Sequence, residues 1–363
     1  MEAVPTMGKK KGGRKKKPQL SAGEQARLAV ARAQAEQDAA KAAGARDVPA
    51  PTRPVLVALD ADQPLGKTWA RQGSKADVAG RIQAQMSSFR TEQPLIDGSE
   101  HLAELMAQGL ESTLRGDFCW SLNFTPLFLA HLAREGFLPI CSDLSGDDGL
   151  YVLMPKWHRE RCCMQFADLH VAKTGRKRAK KFRLTADASF DEVIDRCVEQ
   201  HGENWLYAPM RAAFRALHHW GVARDAERAA DAAAKLPAGF PPFADEVRFH
   251  SFEVWSADGT LAAGEFGAVV GGVYTSFTGF FDSKHPGAGT VQLCGTAKLL
   301  QDAGFAFWDL GQEIPYKLEL GASMLPRAEF LAQFRAARDV KTALEGGQPL
   351  NALPRATALA VVL

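Results

Sequence analysis

The stretch from residue 250 to residue 338 constrains the fold more than any other part of the chain. Three apolar, strand-like runs follow one another there: His250–Trp255, Leu261–Val270 and Val273–Phe281. Asp258-Gly259 lies between the first two and is the dipeptide a tight hairpin needs, because both residues tolerate positive φ. A helix over Thr290–Ala303, a strand over Ala306–Leu310 and a helix over Arg327–Arg338 come next. Strands, helix, strand and helix in that order predict an α/β fold, a mixed sheet with flanking helices.

Upstream, the spacing of Leu102, Leu105, Met106 and Leu110 predicts a helix over His101–Leu114. Residues 118–140 read as a strand end, a turn at Pro126 and an amphipathic helix ending at Gly136. Short strand-like pieces lie in Val152–Phe166, and periodicity gives helices over 189–199 and 207–220. Residues 222–246 are rich in Ala, Pro and acids and read as a surface insertion, part helix and part loop.

Charge is distributed unevenly. The chain of 363 residues carries a net +2, yet residues 9–17 hold seven cations and no acid, and residues 173–183 (KTGRKRAKKFR) hold seven more. Removing those fourteen charges from +2 leaves −12 on the rest. Residues 1–20 have almost nothing to bury and are expected to be disordered. Ser21 with Glu24 fits a capping box at the start of an Ala-rich helix, and the prolines of 45–54 mark a linker. The expected organisation is a basic tail, helix and linker over 1–54, a smaller N-terminal α/β domain over 55–155, a main domain over 156–345 and a C-terminal tail over 346–363. No run of about 18 apolar residues exists, which excludes a helical membrane span. The amino terminus lacks an apolar core of the secretory type, and the six scattered cysteines form no CxxC pair. A cytoplasmic protein with reduced thiols, no metal and no cofactor is expected.

Seven like charges in eleven residues repel one another unless a partner is present, and phosphate oxygens are the natural partner. Lys173, Arg176, Lys177, Lys180 and Lys181 are therefore candidates for a nucleic-acid backbone. Trp205 can stack a base or fill the core. Asp309 ends a strand, where ligands of α/β sheets bind, and can act as a base or orient one; it can equally cap a loop. Phe266 and Phe280 lie on adjoining strands and can floor a pocket. The glycines of HPGAG (285–289) precede a helix and can expose N–H groups to an anion.

Taken in order, four sets of residues resemble the leucyl/phenylalanyl-tRNA–protein transferases. They are Gly136-Phe137-Leu138-Pro139; Leu169-His170 with the basic stretch beyond; Trp205 with Leu217-His218; and HSFEVW (250–255), Gly264–Gly267, WDL (308–310), LGA (320–322) and Pro326-Arg327 with Phe330. The resemblance covers about 118–338. It implies a GNAT-like (acyl-CoA N-acyltransferase-type) catalytic domain. It also implies transfer of Leu, Phe or Met from aminoacyl-tRNA to an acceptor protein or peptide with a basic N-terminal residue, marking it for degradation. By the same resemblance the basic stretch is the tRNA surface, Trp205 lies near the tRNA 3′-adenosine, and Asp309 organises a proton relay.

The chain also departs from the family pattern. The family's Gln falls on Gly311, with Gln312 one place on; its catalytic Glu falls on Thr278; a pocket Met falls on Glu265; and a Trp falls on Ile140. The set available here is thus Asp309, Gln312 and Thr278 for chemistry, with Trp205, Glu265, Phe266, Phe280, Tyr316 and Lys317 around the substrate. Two alternatives stand beside this reading. One is an acyl-CoA acyltransferase, whose pyrophosphate loop HPGAG fits poorly; the other is a catalytically silent tRNA-binding protein.

Overall fold

A computed structural model describes residues 93–143, 151–231 and 240–340, the single positions 233, 235, 236 and 342, and the pair 359–360. The readings made for residues 1–92 and 343–358 lie outside the described residues.

Gly109, in a left-handed conformation with φ 79°, breaks the helix read over 101–114 into α1 (Ser99–Ala107) and α2 (Leu110–Thr113). Helix α3 (Pro126–Arg134) starts with proline, whose fixed φ suits a first turn. Gly136, also at φ 79°, then turns the chain into β1 (Leu138–Asp143), which pairs antiparallel with β2 (Tyr151–Lys156) in a two-stranded sheet.

The remaining elements build the large sheet and its covers. In chain order they are β3 (Glu160–Met164), α4 (Lys173–Ala179), β4 (Phe182–Ala186), α5 (Phe190–His201), α6 (Ala208–Ala230), β5 (Val247–Ser256) and β6 (Leu261–Val270). They continue with β7 (Val273–Phe281), α7 (Ala288–Asp302), β8 (Phe307–Gly311), α8 (Pro315–Glu319), β9 (Ser323–Pro326), α9 (Arg327–Arg338) and β10 (Leu359–Ala360). The eight strands lie in the order β10-β4-β5-β6-β7-β8-β3-β9. Every neighbouring pair is antiparallel except β7 and β8, which run parallel because α7 carries the chain across between them. The predicted mixed sheet is present. Strand β4 was missed inside the basic segment, although Phe182, Leu184 and Ala186 alternate inward.

Alternation along the strands divides the apolar core between the two faces of the sheet. On one face Phe249, Phe266, Phe280 and Phe307 pack with α3, α5, α6 and α9. On the other, Phe252, Ala263, Tyr274 and Trp308 pack beneath α7, with α4 against α7. The segment 222–230 continues α6, and Arg224 and Arg228 both bond Asp245.

A buried polar network explains the His250, Ser251 and Glu253 positions of HSFEVW. Asp187, held at φ 57°, accepts from the Ser251 N–H at 3.0 Å and lies 2.7 Å from His250 Nδ1. Glu253 accepts from the Ser251 and Thr185 hydroxyls at 2.5 and 2.7 Å. These bonds fix the corner from β4 into α5.

Candidate active site

The sheet opens between its two parallel strands. Strands β7 and β8 pair only from Val273–Thr275 to Phe307–Asp309, whereas β7 runs on to Phe281 and β8 turns away to pair Gly311 with Cys162 on β3. At the point of parting, the β6–β7 register shifts: Phe266 faces Thr278 while Gly267 faces Ser276, which leaves Phe277 as an extra residue. A bulge at a strand end re-aims side chains and ends pairing, and such sites hold ligands. Ser276, Phe277, Thr278 and Gly279 are all half-exposed along this unpaired edge.

Asp309 is fully buried at the root of the fork. Arg161 Nε lies 3.0 Å from its Oδ1 and 3.2 Å from its Oδ2. The Thr275 hydroxyl donates to Oδ2 at 3.0 Å, and the Gly311 N–H donates to Oδ1 at 2.9 Å. Arg161 also donates to the Gly136 carbonyl at 2.6 Å and stacks over the Phe330 ring at 4.4 Å. Asp309 thus ties β3, β7 and β8 together and shapes the turn after β8. Lys317 Nζ reinforces that turn by donating to the Leu310 and Gln312 carbonyls at 2.5 and 3.1 Å. Burial pulls its ammonium below the usual lysine range, opposed by Cys162, Asp309 and Glu265. Gln312 is exposed at the mouth.

Glu265 lies on the α7 face, one bond behind the fork edge. Trp308 Nε1 donates to Ser276 Oγ at 2.7 Å, and Ser276 Oγ donates to Glu265 Oε2 at 3.0 Å. Burial pushes the Glu265 carboxyl up to about 7, while Ser276, Gln292 and Lys317 pull against it. Tyr316 projects from α8 beside this group. Burial of its hydroxyl pushes it up to about 12, with Glu265 and Cys162 adding to the effect, although the residue as a whole is 38% exposed.

Not all the candidate residues come together. Thr278 pairs with Phe266, and both share the face of Phe280, Asp309 and Trp205. Trp205 is half-buried, edge-on to Phe214. Lys173, Arg176, Lys177, Lys180 and Lys181 are exposed on and after α4, which lies on the other face with Glu265. Among the described residues none of these five cations is held in an ion pair. Gly287, with φ 91°, caps α7, and the Arg178 side chain lies against it, while Gly289 falls inside the helix. Arg161, Thr275 and Ser276 do not stand out in the sequence as site residues. The one signal for Arg161 was a lone cation inside an apolar strand, Arg161-Cys162-Cys163-Met164.

By sequence, the chain is similar to one family of known proteins. The family model for leucyl/phenylalanyl-tRNA protein transferase matches residues 163–335. A leucyl/phenylalanyl-tRNA–protein transferase of Nitratidesulfovibrio vulgaris is 30% identical over 221 residues, 58% of this chain and 77% of that protein. Proteins of the same name from Rubrobacter xylanophilus and Pseudoalteromonas translucida are 26% and 28% identical. They are covered over 96% and 94% of their lengths, and this chain over 60% and 64%.

Two outcomes follow from the geometry. Arg161→Met leaves Asp309 buried without its cation and lowers unfolding free energy by about 3–5 kcal/mol in urea titration, whereas Arg161→Met with Asp309→Leu costs much less than the two single changes summed. Glu265 titrates near 4.5 when unfolded and about 7 when folded, so the folded state holds the extra proton between those values and stability falls as pH rises through that window. Glu265→Gln removes this slope, so its stability relative to the parent rises from pH 4.5 to 7 and is level above; a difference that stays constant with pH contradicts the assignment.

Proposed function

Because the chain belongs to the leucyl/phenylalanyl-tRNA–protein transferase family, we propose that it moves an aminoacyl group from aminoacyl-tRNA to the N-terminal α-amine of an acceptor protein. The observation that carries this reading is the placement of α4. It packs against α7 with its cations exposed, and α7 follows the end of the strand whose open edge borders the fork. A phosphate backbone lying along Lys173, Arg176, Lys177, Lys180 and Lys181 directs its 3′ end toward the open strands.

The reaction is attack of a neutral amine on an ester carbonyl. The new C–N bond forms, the bond to the ribose oxygen breaks, and the proton lost by the amine ends on that oxygen. Such a step needs alignment of the two reactants and donors where negative charge develops. Asp309 does not reach the open edge, since all its bonds run inward; it acts as a positioning residue that sets the Gly311 turn and the hydroxyl of Thr275. Thr278 and Gln312 lie at the mouth and are the side chains of the proposed catalytic set that can meet substrate. The acceptor reading, a protein with a basic N-terminal residue destined for degradation, follows the family, as does a GNAT-like architecture for residues 156–345. The central parallel pair that parts at a bulge supports that architecture. A cytoplasmic site of action fits the same reading. Among the described residues no helix is long and apolar enough to cross a membrane, and no group of three or more His, Cys, Asp or Glu could hold a metal.

Incubation with charged tRNAs and an Arg-starting peptide is expected to yield a peptide one residue longer, read by mass spectrometry. Transfer from none of the charged tRNAs sinks the reading. Affinity for tRNA falls steeply with salt, and Lys177→Ala, Lys180→Ala or Lys181→Ala each reduces the slope of log K against log salt by about 1. A salt profile unchanged by all three removes α4 from the interface.

A further inference from the structure

The open edge of β7 is not bare along its whole length. Backbone groups of alternate residues point to opposite edges of a strand, and Asp282 donates to the Ala262 carbonyl of β6, so Gly279 and Phe281 turn theirs toward the fork. Two neighbouring residues at the end of α5 meet them there. The Gln200 side-chain oxygen accepts from the Phe281 N–H at 2.9 Å, and His201 Nε2 lies 2.7 Å from the Gly279 carbonyl. Helix α5 thus closes the far half of the edge. The part left open runs from Thr275, where pairing with β8 stops, to Gly279, and Thr278 stands in it.

A carbonyl only accepts, so the bond to Gly279 puts the proton of the neutral imidazole on Nε2 and leaves Nδ1 with its lone pair. Among the described residues no hydrogen bond engages His201 Nδ1, and it is not one of the buried polar atoms that lack a partner, so it reaches solvent from a half-buried ring. The chain around it is fixed. Gly202, at φ 73°, ends α5 by donating to the Val198 carbonyl at 2.8 Å, and the Asn204 amide donates to the His201 carbonyl at 2.5 Å just before Trp205. A helix C-terminus favours positive charge, so an imidazolium formed here is stabilised. The charges nearest in sequence are matched with one another, Arg196 with Glu199 at 3.6 Å and Glu203 with Arg211 at 2.7 Å. From Ser276 to Phe281, β7 brings no titratable side chain.

We propose that His201 is the general base of aminoacyl transfer, its Nδ1 taking the proton that the acceptor amine loses. This rests on the transferase reading above and adds a catalytic residue to it. Thr278 and Gln312 carry no group that takes up a proton near neutral pH, and the bonds of Asp309 all run inward. As the amine nitrogen bonds to the ester carbonyl carbon, a proton passes from that nitrogen to Nδ1. As the bond from the same carbon to the ribose oxygen breaks, the imidazolium passes the proton to the oxygen and returns to its starting tautomer. Nε2–H stays on Gly279 through both steps, and that bond strengthens while the ring is charged. Imidazole suits the role because it exchanges a proton near neutral pH.

The test uses the full chain, charged tRNAs and an Arg-starting peptide. His201→Gln keeps a side-chain N–H for the Gly279 carbonyl and has no basic nitrogen. It is expected to lower kcat about a hundredfold or more, with thermal melting and tRNA affinity unchanged. His201→Ala is expected to be at least as slow. A Gln variant near the parental rate beside a slow Ala variant makes His201 a clamp on the strand edge and overturns the base, as does full activity of both. In 15N spectra of the imidazoles, with His201 assigned by the signal lost in His201→Gln, the neutral ring is expected to carry its proton on Nε2; a proton on Nδ1 overturns the proposal whatever the rates. A parent protein that transfers from none of the charged tRNAs sinks the transferase reading and the base together, whereas an active parent beside an unimpaired Gln variant sinks the base alone.

Discussion

The buried pair of Arg161 and Asp309 holds the molecule's working parts in register. Four elements meet on it: β3 supplies the guanidinium, β8 the carboxylate, β7 the Thr275 hydroxyl, and the turn after α3 the Gly136 carbonyl. A charge removed from water must have its lone pairs and protons fully used, and here every oxygen of Asp309 is. Among the described residues the one parallel contact of the sheet ends at Thr275 and Asp309, so the fork opens where the pair sits. The Phe330 ring under the guanidinium brings α9 into the same joint.

The residues that carry the family resemblance are largely joints of this kind. His170 and Leu320, from separate motifs, meet through a backbone bond of 2.8 Å. His218 stacks on Phe190 and bonds the Phe249 carbonyl at 2.8 Å. Arg327 donates to the carbonyls of Leu114, Gly116, Trp157 and His158, which binds α9 to the smaller sheet and the turns before it. A short motif therefore reports a contact between distant segments, and this is why order and spacing identified the family while several departures lay among the residues at the fork.

Legibility followed locality. Strands Leu261–Val270 and Val273–Phe281 and the helix Arg327–Arg338 were read to the residue, because a turn dipeptide or a clean period bounds each. The helix over 101–114 was read as one because its apolar spacing runs through Gly109, whose positive φ is a backbone property that spacing does not encode. Asp309 was legible as a carboxylate of that strand, although β8 runs on to Gly311 and holds it mid-strand, paired on both sides. Its partner was not, because Arg161 lies 148 residues away and nothing local distinguishes it from a surface cation. Trp205 and the basic segment look adjacent along the chain, yet β4 and α5 intervene and the sheet separates them.

The two-residue period of β6 also separates two kinds of constraint. Phe266 points into the larger core, in edge contact with Phe190, Phe214 and Phe277, so its replacement disturbs α5, α6 and β7 together. Its neighbour Glu265 points to the other side, beneath α7, where its cross-strand partner is a glycine and its carboxylate is bonded to Ser276. Adjacent codons thus answer to different pressures. A change at Phe266 is felt by the aromatic core of one face, and a change at Glu265 by the polar contacts of the other.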